Sequence, residues 1–183
     1  MKIVIVVIIA IAAAAGGFFL QQTKSPEEVA REKVTDKSPI SVVGELRPEF
    51  SLPDLEDKQH NISEWDGKIR LVNFWATWCP PCLREMPAFV EMQEQYANKN
   101  FVIIGVAIDR KDAVQDFVDT IGVNYPILYG EMAALELTTS YGNRLGVLPF
   151  SVFVGADNKI ISVHNGEITA ETIKNVLLSQ NIK

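Results

Sequence analysis

Leu71-Val72-Asn73-Phe74-Trp75-Ala76-Thr77-Trp78-Cys79-Pro80-Pro81-Cys82 is the stretch that decides the fold. It opens within an apolar strand, 69–75, broken only by Arg70 and Asn73. A short loop follows, and then two cysteines stand at the start of a helical pattern. Amides at a helix N-terminus are unpaired and carry partial positive charge. A thiolate placed there is stabilised, so it becomes a better nucleophile and leaving group at neutral pH. Cys79 is read as the exposed cysteine of the loop. Cys82, one turn further in, can attack a mixed disulfide formed by Cys79. Pro80 suits the first helical position, where a proline loses no hydrogen bond, and Pro81 adds stiffness.

Cys79 and Cys82 are the only cysteines in 183 residues. A bridge between them closes too short a loop to constrain the unfolded chain much, so their value is chemical. Half of a zinc site is the competing reading. Structural zinc needs four close ligands, and only His60 and His164 could complete the set; both histidines read more simply as ordinary surface or satisfied residues.

Working outward, 49–55 alternates apolar and polar positions as a half-buried strand does, a turn falls at Asp57-Lys58, and 59–62 returns. Ser63 reads as the cap of the short turn that follows. A helix is expected over 80–98, with Leu83, Met86, Phe89, Val90, Met92 and Tyr96 at helical spacing. The run 101–108 is apolar throughout, the mark of an interior parallel strand. Asp109 or Asp112 then caps a helix with Val114, Phe117, Val118 and Ile121 inward, stopped by Gly122. A strand over 125–129, a helix over 131–141, strands over 150–154 and 159–164 and a last helix capped by Thr169 complete the pattern. Alternating βα units followed by a hairpin and a helix predict an α/β sheet covered on both faces.

The segment Trp75-Ala-Thr-Trp-Cys-Pro-Pro-Cys-Leu-Arg-Glu-Met-Pro87 resembles the exported, membrane-anchored branch of the thioredoxin superfamily, the TlpA/ResA-like disulfide reductases. The resemblance extends over about residues 45–180. It includes Phe50-Ser-Leu-Pro-Asp-Leu55, Ile104-Gly-Val-Ala-Ile-Asp109, Tyr125-Pro-Ile-Leu128 and Tyr141-Gly-Asn-Arg-Leu-Gly-Val-Leu-Pro149. It implies a thioredoxin fold, with a central mixed β-sheet, flanking helices and an N-terminal β-hairpin extension. It implies that Cys79 attacks and Cys82 resolves, with a redox-active Cys79–Cys82 disulfide and no bound cofactor or metal. Leu148-Pro149 matches the family's cis-proline loop, which leaves the Leu148 backbone free to pair with an extended substrate. Trp78, Pro80 and Pro81 would face substrate beside it, whereas Trp75 reads as packing. Glu85 matches a carboxylate that handles the proton of the second cysteine; its plainer reading is a solvated acid early in a helix. Cytosolic thioredoxins carry a buried aspartate where this chain has Asn73, which takes up no proton at neutral pH.

Residues 3–20 form an unbroken apolar run of 18, long enough to cross a bilayer, preceded by Lys2. We read 1–20 as a retained signal-anchor helix, since cleavage after Ala13-Ala14-Ala15 would leave an apolar new terminus. Residues 21–44 read as a linker, and 45–183 as the thioredoxin-like domain. This places a single-pass protein in the inner membrane, with its catalytic domain on the periplasmic side. The net charge of −6 argues against a nucleic-acid partner.

The expected activity is reduction of disulfides in exported proteins, apocytochrome c being one use in this family, with electrons from a membrane thiol–disulfide protein. The chain has Gly146-Val-Leu-Pro149 where dedicated cytochrome-maturation reductases carry a longer Gly-Val-x-Gly-x-Pro-Glu loop. A disulfide-forming oxidase uses the same chemistry at another potential. A thiol peroxidase of the related class fits less well, because no suitable Arg follows Thr77 and Cys79.

Overall fold

Every residue of Ile69–Trp75 (β3) is buried, because this strand has neighbours on both edges and helices on both faces. The computed structural model, which describes residues 41–182, builds outward from it. On one side β3 runs parallel to Phe101–Ala107 (β4), which runs parallel to Ile127–Tyr129 (β5). On the other it pairs antiparallel with Phe150–Val154 (β6), which pairs antiparallel with Ile160–Asn165 (β7). The order β5-β4-β3-β6-β7 is the mixed sheet of a thioredoxin fold. A separate hairpin of Ser51–Pro53 (β1) and Gln59–Asn61 (β2) reaches the β5 edge through a bridge from Asp54 to Leu128.

Period-two alternation divides the core. Ile69, Leu71 and Trp75 face Met86, Phe89 and Met92 of Pro80–Tyr96 (α1), Val114 of Lys111–Ile121 (α2), and Ile173 and Leu177 of Ala170–Ser179 (α4). Val72 and Phe74 face Ile62, Tyr141, and Ala134 and Leu137 of Glu131–Ser140 (α3).

Several boundaries differ from expectation for local reasons. The turn at Ile62–Trp65 is capped by Asn61, not Ser63: the Asn61 side chain accepts from the Ser63 amide while Glu64 accepts from the Asn61 amide. Asp109 does not cap α2, which starts after Arg110 without a side-chain cap; its carboxylate turns to Thr77. Gly122 does end α2, in the left-handed region at φ 72°. The compact unit begins at Ser41. Its Gly44 amide donates to the Ile160 carbonyl at 2.8 Å. The apolar run 3–20 and linker residues 21–40 lie outside the described residues, among which no helix is long and apolar enough to cross a membrane.

At the N-terminal end of β3 the buried Arg70 bonds to Asp66 at 2.7 Å, to the Gly155 carbonyl at 2.5 Å and to Asn158 at 2.7 Å. The buried Arg47 reaches the same Asp66 oxygen at 2.7 Å. Burial pushes the Asp66 carboxyl up, but hydrogen bonds from Arg47 and Asn158 and both guanidinium charges outweigh it and hold it below the usual range. Asp66→Ala should therefore lower stability by about 2–3 kcal/mol in urea unfolding at pH 7, less than for a fully buried pair because solvent reaches Asp66. A depressed carboxylate contributes above its unfolded pKa, so parent and variant should converge only as pH falls below about 4.

Candidate active site

The site lies where β3 ends and α1 begins. Cys79 is the N-cap of α1 in extended conformation, with Pro80 and Pro81 filling the first two helical positions. Cys79 and Cys82 are joined, S–S 2.03 Å. Sequence reasoning made Cys79 the exposed member; in the closed disulfide it is only 4% exposed and Cys82 is fully covered. The reason is that both sulfurs belong to the apolar cluster under α1, with Leu148 packed against it. Trp78, 66% exposed, is the side chain that stands out into solvent. Pro80 is also exposed and Pro81 partly so.

The Leu148–Pro149 bond is cis. Pro149 is buried and Leu148 half-buried at the rim. Among the described residues Leu148 enters no backbone hydrogen bond. The preceding loop is fastened by Asn143, whose side chain donates to the Val147 carbonyl at 2.9 Å and accepts from its amide at 3.2 Å. That fastening leaves Leu145 82% exposed.

Glu85 is no solvated acid. It lies one turn after Cys82 on the buried face of α1 and is 1% exposed. The Asn73 side chain donates to its Oε1 at 2.8 Å, and the Ile168 amide to its Oε2 at 3.0 Å. Asn73 also donates to the Ser151 hydroxyl at 2.9 Å, across the β3–β6 ladder. Burial pushes the Glu85 carboxyl up to about 7 against the pull of these two hydrogen bonds, with the Glu167 charge adding to the rise. A buried acid that titrates near neutrality beside a cysteine can take or give a proton there.

Three participants escaped the sequence. Ser151 left a signal, a lone polar residue in an apolar strand. The Ile168 amide left none, since a backbone donor carries no residue type. Asp109 resembled a helix cap; it instead accepts from the Thr77 hydroxyl and, at 3.3 Å, from the Thr77 amide, fixing the loop before Cys79.

Neither histidine joins the cysteines. Both ring nitrogens of His60 are engaged, with Glu64 and Asp54 at 2.8 Å each. These hydrogen bonds raise its pKa against a smaller effect of burial, and His60 is a satisfied residue away from the cysteines, as expected. His164 meets Ser162 at 3.2 Å, and burial lowers its pKa.

Comparison with known proteins agrees with this geometry. The family model described as Redoxin matches residues 42–177. The thiol-disulfide oxidoreductase ResA of Geobacillus thermodenitrificans is 33% identical over 146 residues, spanning 79% of this chain and 81% of that protein. A thioredoxin-family thiol:disulfide interchange protein from Chlorobium tepidum TLS superposes with a TM-score of 0.66 at 26% identity, covering 73% of this chain and 94% of that one. StoA from Bacillus subtilis shares the fold, with a TM-score of 0.59 at 23% identity over 71% of this chain and 96% of its own. The chain belongs to the redoxin family and is a ResA-like thiol–disulfide oxidoreductase, with Cys79–Cys82 as its redox-active disulfide.

Proposed function

We propose that this oxidoreductase works as a reductase of disulfides in exported proteins, apocytochrome c among the candidate substrates. In this reading residues 1–20 hold it in the inner membrane, the catalytic domain lies on the periplasmic side, and a membrane thiol–disulfide protein supplies its electrons. The apolar run 3–20 supports the anchor, and a cysteine pair made to cycle suits an exported setting with oxidised partners.

One observation carries the direction: the buried Glu85 beside Cys82. A strong oxidant is one whose reduced form is stabilised, chiefly through its thiolate. A carboxylate held near Cys82 disfavours a second negative charge there and so destabilises the reduced form. The couple then gives its electrons away readily. Cys79 at the N-terminus of α1 is the attacking thiolate, and Cys82 resolves the mixed disulfide after passing its proton to Glu85. Trp78, Pro80, Pro81 and Leu148 offer the exposed and half-buried rim on which substrate would lie, with Pro149 beneath it.

The equilibrium potential of the couple, titrated against glutathione or dithiothreitol, tests the direction. A value near or below about −250 mV fits a reductase, and one near about −120 mV reverses the electron flow and makes the protein an oxidase. In the reduced protein at pH 7, iodoacetamide should label Cys79 much faster than Cys82; equal rates would remove the roles assigned to them.

Glu85 generates a separate expectation for the oxidised protein. The folded state keeps a proton on Glu85 up to about pH 7, whereas the unfolded chain releases it near its ordinary value of about 4.3. Stability is therefore lost as pH rises through that window, by about 3–4 kcal/mol in all. Glu85→Gln should flatten this slope between pH 4.5 and 7.5 in chemical unfolding. An unchanged slope would mean that Glu85 does not titrate there.

A further inference from the structure

Among the described residues, two buried donors on the α1 face of the sheet have no acceptor, the Trp75 indole nitrogen and the Tyr125 hydroxyl. Both side chains crowd Gly105. A Cβ built there would stand 3.2 Å from Trp75 Nε1, 3.3 Å from Tyr125 Cε2 and 2.6 Å from Ile127 Cδ1. Gly105 is the ladder partner of Asn73, the residue that holds Glu85. Tyr125 also meets Phe89 edge-on, with ring centroids 6.4 Å apart. Phe89 lies one helical turn beyond Glu85 on the same buried face of α1. The Tyr125 ring is thus wedged between the helical turn that follows Glu85 and the strand position beside Asn73.

Tyr125 is only 7% exposed. A buried hydroxyl without a partner costs stability, and phenylalanine would fill the same space without that cost. The hydroxyl makes physical sense if another state of the redox cycle gives it an acceptor. Each Glu85 oxygen accepts one hydrogen bond in the closed disulfide and has a further lone pair to offer.

We propose that Tyr125 is a positioning residue for the exchange reaction: its hydroxyl, unpaired while the disulfide is closed, donates to the Glu85 carboxylate in the reduced protein and holds it ready for the Cys82 proton. This rests on the role proposed for Glu85 above. The Cys79 thiolate attacks the substrate disulfide, whose S–S bond breaks, and one substrate thiolate leaves. Cys82 then gives its proton to Glu85 and its thiolate attacks the Cys79 sulfur. The Cys79–Cys82 bond forms, the second substrate thiolate leaves, and the Glu85 proton passes to it. Two electrons have moved from the dithiol to the substrate disulfide.

The ionisable groups around Glu85 permit this. On α1 they are Cys82 and Arg84, the latter paired with Glu167 at 2.8 Å. From the loop before α4 comes Glu167, while Asn73 of β3 and Ser151 of β6 are neutral. Burial, aided by the Glu85 charge, raises the Tyr125 pKa, so the phenol stays protonated and remains a donor.

The test is the pH profile of single-turnover reduction of 5,5′-dithiobis(2-nitrobenzoate) by the reduced protein, for the parent, Tyr125→Phe and Glu85→Gln. Losing a donor to the carboxylate should move the Glu85-dependent limb of Tyr125→Phe to higher pH by about one unit. A Tyr125→Phe profile that superimposes on the parent's, while Glu85→Gln abolishes the limb, would make Tyr125 packing alone and overturn the proposal. A parent limb untouched by Glu85→Gln would instead overturn the Glu85 reading beneath it. Oxidised Tyr125→Phe should melt at or above the parent temperature. A clear drop would show the hydroxyl paired in the closed state and remove the premise.

Discussion

The hydrogen bonds that grip the Glu85 carboxyl tie the working end of the molecule together. Asn73 brings in β3, Ile168 brings in the approach to α4, and Glu85 itself belongs to α1. Two consecutive elements and a segment 83 residues away are thereby fixed around one side chain, a turn below the disulfide. The grip is polar in an otherwise apolar layer, and it persists because each carboxyl oxygen has a donor. A buried acid without these donors would be driven far more strongly to its neutral form. With them it sits close to the pH at which a proton moves easily.

The sheet has a second polar island at its other end, and the contrast is instructive. Around Arg70, Asp66, Arg47 and Asn158 the charges pair off and are meant to stay paired. Arg70 and Glu85 are both buried, yet one is neutralised by an opposite charge and the other only by hydrogen bonds from neutral groups. Opposite charge fixes an ionisation state; neutral donors leave it adjustable. The same strand therefore carries structural electrostatics at Arg70 and, three residues further on, the neutral Asn73 that holds the titrating Glu85.

The architecture was legible because β4 is apolar throughout and β3 is apolar but for Arg70 and Asn73, and such runs survive only in strands buried on both faces. The CPPC unit was legible because a proline-started helix after such a strand has few other uses. Caps were less so. Asn61, Ser63, Asp109 and Asp112 are all competent hydrogen-bonding residues, and tertiary partners decided among them: Asp109 was taken by Thr77. The burial of Glu85 could be read only by resemblance. A glutamate early in an amphipathic helix is normally solvated, and nothing local says that Ile168, 83 residues away, will close over it. The orphaned hydroxyl of Tyr125 was likewise beyond the sequence, since an unmade bond is a property of the whole fold.

With Cys79 at 4% exposure, the sulfur is not open to simple collision, and in the reading proposed above a partner would approach along the rim of Trp78 and Leu148. In the proposed role of Glu85, burial would also keep water from screening its interaction with Cys82 in the reduced protein, so that the proton on one would govern the charge on the other. A more exposed CxxC pair would exchange faster with any thiol it met, but its potential would answer less to a single acid. On that reading access and proton control would be set by the same act of burial, and the low exposure of the sulfurs is the condition under which Glu85 could matter.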